Sequence, residues 1–331
     1  MKKILYILVI FIVLPVSGQI NLGNKGGSFL SKNGVFLSYT IPSEPEEPEP
    51  YTQIIANHSV VALYDDIPQQ WIDSVKKMFV TVAGQSHAEG YFTGVQMLEE
   101  LDATYAVSVV SSGTPESYTT SNLRMSGAMW GNLENATGWI YGYDTWDWAG
   151  GTPYDYTYSQ SQAERVMAGI SYAHNNGLTK AAMAYGYCYN EGYWESYITA
   201  TQALVDYCEA HGLPTKVFFT TGPADGHLAA ATEEAYTESL RWTAIRNHVL
   251  ADSTLILFDY NDILSYNDAG QQQTQTWNGH IYPVIHTENT TGDITCYPCS
   301  SGHIGGNGCL KLGKAMWWML ARIAGWDGTI E

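Results

Sequence analysis

Ser86 stands in Gly84-Gln85-Ser86-His87, behind the β-type run Phe79-Val80-Thr81-Val82-Ala83 and ahead of a helical pattern. A serine at such a strand-to-helix turn is presented at a helix N-terminus. Its own backbone N–H and the helix dipole can stabilise an oxyanion, as acyl transfer by a serine nucleophile requires. A plain helix N-cap is the structural use of a serine in the same place. Of the nine histidines, His87 adjoins Ser86. Neighbours in a turn rarely point at one atom, so His87 reads as a wall of the site, with Gln85, rather than as the base. His227 follows the turn-rich Gly222-Pro223-Ala224-Asp225-Gly226, and both site lining and a solvated loop fit it. His58, His280 and His286 fall in loops and read as structural. His174, His211 and His248 lie near helix ends, where a cation suits the dipole.

The elements that must position these residues alternate. Helical spacing covers 67–77, 92–101, 162–175, 193–211, 233–250 and 310–324, and β-type runs cover 78–83, 104–110, 181–188, 216–221 and 254–260. Residues 111 to about 161 read as irregular. Strands separated by helices predict a parallel sheet with helices on both faces. Ligands then sit beyond the carboxyl ends of the strands, where Ser86, Asn190, Glu191, Asp225 and Asp262 all fall.

The N-terminus reads as a secretory signal peptide. Lys2 and Lys3 precede an apolar run to Pro15, and Val16-Ser17-Gly18 gives the small residues of a cleavage site before Gln19. Residues 19–50 read as a leader and linker, ending in the Pro/Glu run 43–50, with the domain at 51–331. The expected location is the periplasm or the cell exterior, with no membrane segment after cleavage. Fifteen Lys+Arg against thirty-three Asp+Glu give a net charge of −18. That argues against nucleic acid as a partner. With 45% apolar residues in 331, the chain can build a large core.

Gly84-Gln85-Ser86 together with Ser300-Ser301-Gly302-His303, just ahead of the last helix, resembles the SGNH (GDSL-like) hydrolase superfamily. Its nucleophilic serine follows the first strand, its Gly-Gln-Ser variant occurs among carbohydrate esterases, and an Asp-x-x-His element supplies its base. The resemblance spans about 60–325 as an order of elements. It implies a three-layer, flavodoxin-like α/β fold and no cofactor. It also implies Ser86 as nucleophile, His303 as general base and Asn190 as oxyanion donor. The family's Asp is replaced here by Ser300. Asp293, Glu288 or a backbone carbonyl is left to orient the imidazole. The spacing of Asn190 from Gly186 also departs from the family's Gly-x-Asn-Asp.

Cys296, Cys299, His303 and Cys309 have the residue types of a zinc site. An oxidising compartment, the role implied for His303 and the flanking glycines Gly302, Gly305 and Gly306 favour a disulfide instead, Cys309 with Cys296 or Cys299. No metal is expected. Cys188 and Cys208 read as buried thiols. Between 139 and 158 lie three Trp and five Tyr. Trp146 and Trp148, with Asp144, Asp147 and Asp155 between the rings, suit sugar faces and hydroxyls. The same aromatics could equally form the small core of an insertion. The expected activity is hydrolysis of an ester, an acyl group on a glycan or another small ester. Two other readings stay open: a carbohydrate-binding protein that lost the chemistry, and a glycoside hydrolase using Glu191, Asp225 and Asp262.

Overall fold

A computed structural model describes residues 27–30, 36–39, 53–84, 87–110, 117–131, 139–141, 160–186, 194–222, 231–291 and 304–329. Two units divide the chain, Met1–Glu49 and Pro50–Glu331. In the first, β1 (Gly27–Leu30) pairs antiparallel with β2 (Phe36–Tyr39) inside what reads from sequence as leader. The signal peptide and the Pro/Glu run lie outside the described residues.

The second unit is built on a parallel sheet. Its strands are β3 (Ile55–Ala56), β4 (Phe79–Ala83), β5 (Val107–Val110), β6 (Leu123–Ser126), β9 (Ala182–Tyr185), β10 (Lys216–Val217), β11 (Phe219–Thr220) and β12 (Leu257–Phe258). β10 and β11 are halves of one strand. Lys216 and Phe218 donate their N–H groups to Ala181 and Met183, and Phe219 and Thr221 donate theirs to Ile256 and Phe258 on the opposite side. The two hydrogen-bonded sets therefore join in the order β5-β6-β4-β9-(β10-β11)-β12-β3, every pair parallel.

The central strands β4 and β9 are buried on both faces, which is why they read as continuous apolar runs rather than alternating ones. Val80, Val82, Ala184, Phe218 and Phe258 pack toward α1 (Gln69–Val75), α2 (Glu89–Leu101) and α7 (Gly306–Ala324). Met183, Tyr185, Phe219 and Leu257 pack toward α3 (Gln160–Asn175), α4 (Trp194–Ala210) and α5 (Glu233–Leu250). The chain is thus a three-layer α/β protein, as its alternating pattern predicts.

Two strands of this parallel sheet are not legible in the sequence, and they alter its order. A flavodoxin-like sheet starting at β4 would place β5 beside it. Instead β6, from the stretch that reads as irregular, lies between them. Its sequence Leu-Arg-Met-Ser has two polar residues, yet all four are buried. The Arg124 guanidinium donates to the Lys77 carbonyl at 3.1 Å, and Phe79 and Tyr118 offer their ring faces at 5.6 Å. The other unforeseen strand is β3, only two residues long, at the far edge beside β12. α6 (Tyr260–Ser265), the antiparallel pair of β7 (Ala128–Gly131) and β8 (Trp139–Tyr141), and the hairpin of β13 (Thr274–Trp277) and β14 (His280–Pro283) complete the described part of the unit. The hairpin turns at Asn278-Gly279, both with positive φ (47° and 83°), the backbone a two-residue I′ turn needs.

Lys180 is buried at the amino end of β9, and desolvation pushes its pKa down to about 7. The unfolded chain holds that proton more tightly, so it binds more protons between pH 7 and 10. Stability should therefore rise with pH across that window, by at most about 1.4 kcal/mol per unit. Burial raises the nearby Cys208 thiol to about 11, which opposes the rise once unfolded thiols ionise above about pH 8.5. Urea midpoints should increase from pH 7 to 8.5, and Lys180→Met should flatten the increase. A wild-type profile that is already flat would refute this.

Candidate active site

Every described group with chemistry to offer at the carboxyl ends of the strands can be placed along the sheet, starting from its centre. β4 ends at Ala83, ahead of Gly84, and His87 lies one residue past Ser86. His87 is buried, its ring edge-on to Tyr260 at 6.4 Å, and its carbonyl accepts the Tyr260 hydroxyl at 3.4 Å. Tyr260 and Tyr91 also meet at 5.5 Å. The N-cap of α2 is Ala88. Ala88 is already helical (φ −66°, ψ −29°) and the His87 carbonyl accepts the Gly90 N–H, so the turn begins ahead of Ala88.

The segment carrying Asp293, Cys296, Cys299 and His303 is pinned at its base. Gly305 N–H donates to the Asn289 carbonyl at 2.7 Å. The Asn307 side-chain amide donates to Thr291 Oγ1 at 3.0 Å and to the Glu288 carbonyl at 3.1 Å. Gly305 is not there for flexibility, as its sequence context suggests. A Cβ on it would run into the backbone of Thr290 and Thr291. Gly306 likewise opens α7. The residues on either side of 292–303 are therefore held side by side. Asn289 holds this base to the domain, donating to the carbonyls of Leu264 (2.7 Å) and Tyr266 (2.9 Å). Both carbonyls have a second donor, the His286 N–H and Lys311 Nζ. Asn289→Ala should therefore cost a moderate amount, about 1–3 kcal/mol, read as a lower urea midpoint. An unchanged midpoint would mean the clamp stands without it.

The two loops start on touching elements. Ile304 and Leu312 close over Gly90 in the first turn of α2. Ile304 follows His303 directly, and Gly90 is four residues past Ser86.

At the ends of β11 and β12 the structure holds a buried polar pair absent from the sequence reading. Arg246 on α5 grips Asp259 with two bonds, Nε–Oδ2 at 2.5 Å and Nη2–Oδ1 at 2.8 Å. Thr221 Oγ1 donates to Asp259 Oδ1 at 2.9 Å and accepts the Asn261 N–H at 2.9 Å. Burial alone would lower the pKa of Arg246, but the Asp259 bonds outweigh it and raise it. Asp259 also caps α6. These bonds tie Asp259 up as a scaffold rather than leaving it open for chemistry.

At the sheet edge, His58 follows β3 and Asp262 lies in the first turn of α6, after β12. His58 Nδ1 lies 2.5 Å from Asp262 Oδ2, and the same oxygen accepts the His58 backbone N–H at 2.8 Å. The imidazole stacks flat on Tyr266 at 3.4 Å. His58 is thus no plain loop histidine. Asp262 is engaged with it, which weakens the reading of Asp262 as an open strand-end carboxylate.

Gln85, Ser86, Trp146, Trp148, Asn190, Glu191, Asp225, His227, Asp293, Cys296, Cys299 and His303 lie outside the described residues. Cys309 is buried in the first turns of α7 against α2. Among the described residues, no group of three or more His, Cys, Asp or Glu could hold a metal, and no helix is long and apolar enough to cross a membrane.

Fold and site together define a three-layer α/β protein whose polar groups gather at the carboxyl ends of a parallel sheet. No family model matches the chain, and no curated protein matches it. One solved structure that resembles it is a Bacteroides fragilis protein provisionally described as an acylhydrolase. The two are 10% identical, with 81% of this chain and 98% of that one covered, at a TM-score of 0.39.

Proposed function

We propose that the protein is a secreted serine esterase of the SGNH type, acting on acyl groups carried by a glycan. One observation carries this reading: the packing of Ile304 and Leu312 on Gly90, which brings together the elements flanking Ser86 and His303. A nucleophile and base that are 217 residues apart in sequence need such a junction. Two helices that begin side by side at the carboxyl ends of the strands supply it.

The mechanism follows from acyl transfer. His303 takes the Ser86 proton as Ser86 Oγ attacks the ester carbonyl. The Ser86 N–H and the Asn190 amide hold the oxyanion. The protonated imidazole then gives its proton to the departing alcohol, leaving an acyl-serine. Water, deprotonated by His303, attacks that ester, and collapse releases the carboxylic acid and the free serine. Asp293 is assigned to orient His303, and Gln85, His87, Asp225 and His227 to line the site. Trp146 and Trp148 are assigned to the sugar. A disulfide from Cys309 to Cys296 or Cys299 would fix the His303 segment beyond the Asn289 clamp.

A fluorophosphonate probe tests the nucleophile directly, because it phosphonylates activated serines only. Intact-mass and peptide analysis should find a single adduct on Ser86, blocked by prior heat denaturation. Labelling at another serine, or none in a folded sample, would overturn the assignment.

A further inference from the structure

A cavity of about 410 Å3 opens beside His58 at the edge of the sheet, away from β4, and nothing in the proposed mechanism uses it. We propose that it is a binding site for a neutral pyranose unit. The choice of a saccharide rests on the glycan-ester reading, but the site itself does not depend on Ser86.

Four observations support the proposal. First, the His58–Asp262 pair fixes which nitrogen does what. Asp262 Oδ2 can only accept, so Nδ1 carries the proton. Nε2 is then the free polar atom of a ring that lines the cavity and is held rigid by stacking on Tyr266. A carboxylate holding one imidazole nitrogen to aim the other is how proteins orient a working histidine. Second, the location suits a ligand, since His58 and Asp262 follow the carboxyl ends of adjacent parallel strands.

Third, the ammonium groups are already engaged. α7 brings Lys311 and Lys314 to one wall. Lys311 is paired with Asp268 at 2.9 Å and donates to the Tyr266 carbonyl at 2.7 Å, and Lys314 lies over the Tyr64 ring at 4.6 Å. With both cations held by the protein, the wall favours a neutral ligand over an oxyanion. Fourth, polar and apolar groups share the lining. Sugar hydroxyls both donate and accept. Asp268 can accept from them, Lys314 can donate to them and His58 offers Nε2, while Ile263 and Leu310 supply apolar surface suited to ring C–H groups. The volume lies within the range of small-molecule sites.

The test uses the full mature chain, with methyl β-glucoside and methyl β-xyloside as probes and inorganic phosphate as the anionic control, titrated by NMR. Wild type and Ser86→Ala should bind a glycoside at millimolar concentration and leave phosphate unbound. His58→Phe keeps a ring on Tyr266 but removes Nε2, and should weaken binding about tenfold, the scale of one lost polar contact of about 1.4 kcal/mol. Should that variant not fold, Lys314→Met carries the test, with a loss of about threefold or more expected. Hydrolysis of an aryl acetate should match wild type in both variants. The proposal is overturned if neither glycoside binds wild type, if phosphate binds in their place, or if binding survives both substitutions. Loss of esterase activity alone would sink the catalytic reading and leave this site standing.

Discussion

Ser86→Ala and His303→Ala should each lower kcat/KM for a short aryl acetate by about a thousandfold or more, with the fold intact. The double variant should be little worse than either single one, because nucleophile and base act as one unit. That non-additivity is the informative result. Two residues that merely supported the site separately would multiply their losses. His87→Ala offers the contrast. His87 is buried against Tyr260, so its loss should show first in stability, through the packing it provides. A wild type that is active while both single variants keep full activity would refute the serine mechanism. Attention would then move to Glu191 and Asp225.

The expectation for Asn190 is weaker in size and different in kind. An oxyanion donor acts on the transition state, so Asn190→Ala should lower kcat about a hundredfold with KM nearly unchanged. The Ser86 N–H would remain as a donor.

How much of this was legible depended on distance along the chain. α5 was read as 233–250 and spans Glu233–Leu250, because Thr232 caps it through the Ala235 N–H and both first-turn acids suit the dipole. Local signals fix such an element. β6 defeats the same approach: Arg124 and Ser126 disguise a fully buried strand, and the Lys77 carbonyl and the flanking rings help make Arg124 tolerable there. β3 is too short for any periodicity to show. His58 was misread for a third reason. Its role comes from Asp262, 204 residues away, and no local pattern encodes that pairing. The one available hint was that Asp262 follows a strand end. The Arg246–Asp259 pair was hidden the same way, since a helix residue and a strand-end acid reveal their partnership only after the sheet has formed.

The structure makes its strongest claim about stability at two glycines that carry no signal in the sequence, Gly94 on α2 and Gly313 on α7. Gly94→Ala adds one methyl to a helix in which alanine normally gains about 1 kcal/mol over glycine. Here it should destabilise the protein. A Cβ on Gly94 would overlap the Cys309 carbonyl and come within 2.8 Å of the Gly313 N–H, and one on Gly313 would overlap the Gly94 carbonyl. Both contacts are backbone on backbone, so no rotamer change relieves them. α2 and α7 would have to move apart, and Leu98, Leu312 and Met316 would lose packing along with them. The net cost should be about 3 kcal/mol, or about 6–12 °C in Tm for a domain of this size. The same shift separates Gly90 from Ile304, the junction behind the proposed Ser86–His303 pair. At a temperature where Gly94→Ala is still folded, kcat/KM should therefore fall at least tenfold with fluorophosphonate labelling slowed in parallel. A lower Tm with unchanged kcat/KM would show that the seam only holds the fold together. An unchanged Tm would show that the helices do not cross this closely, and the structural case for the Ser86–His303 pair would go with it.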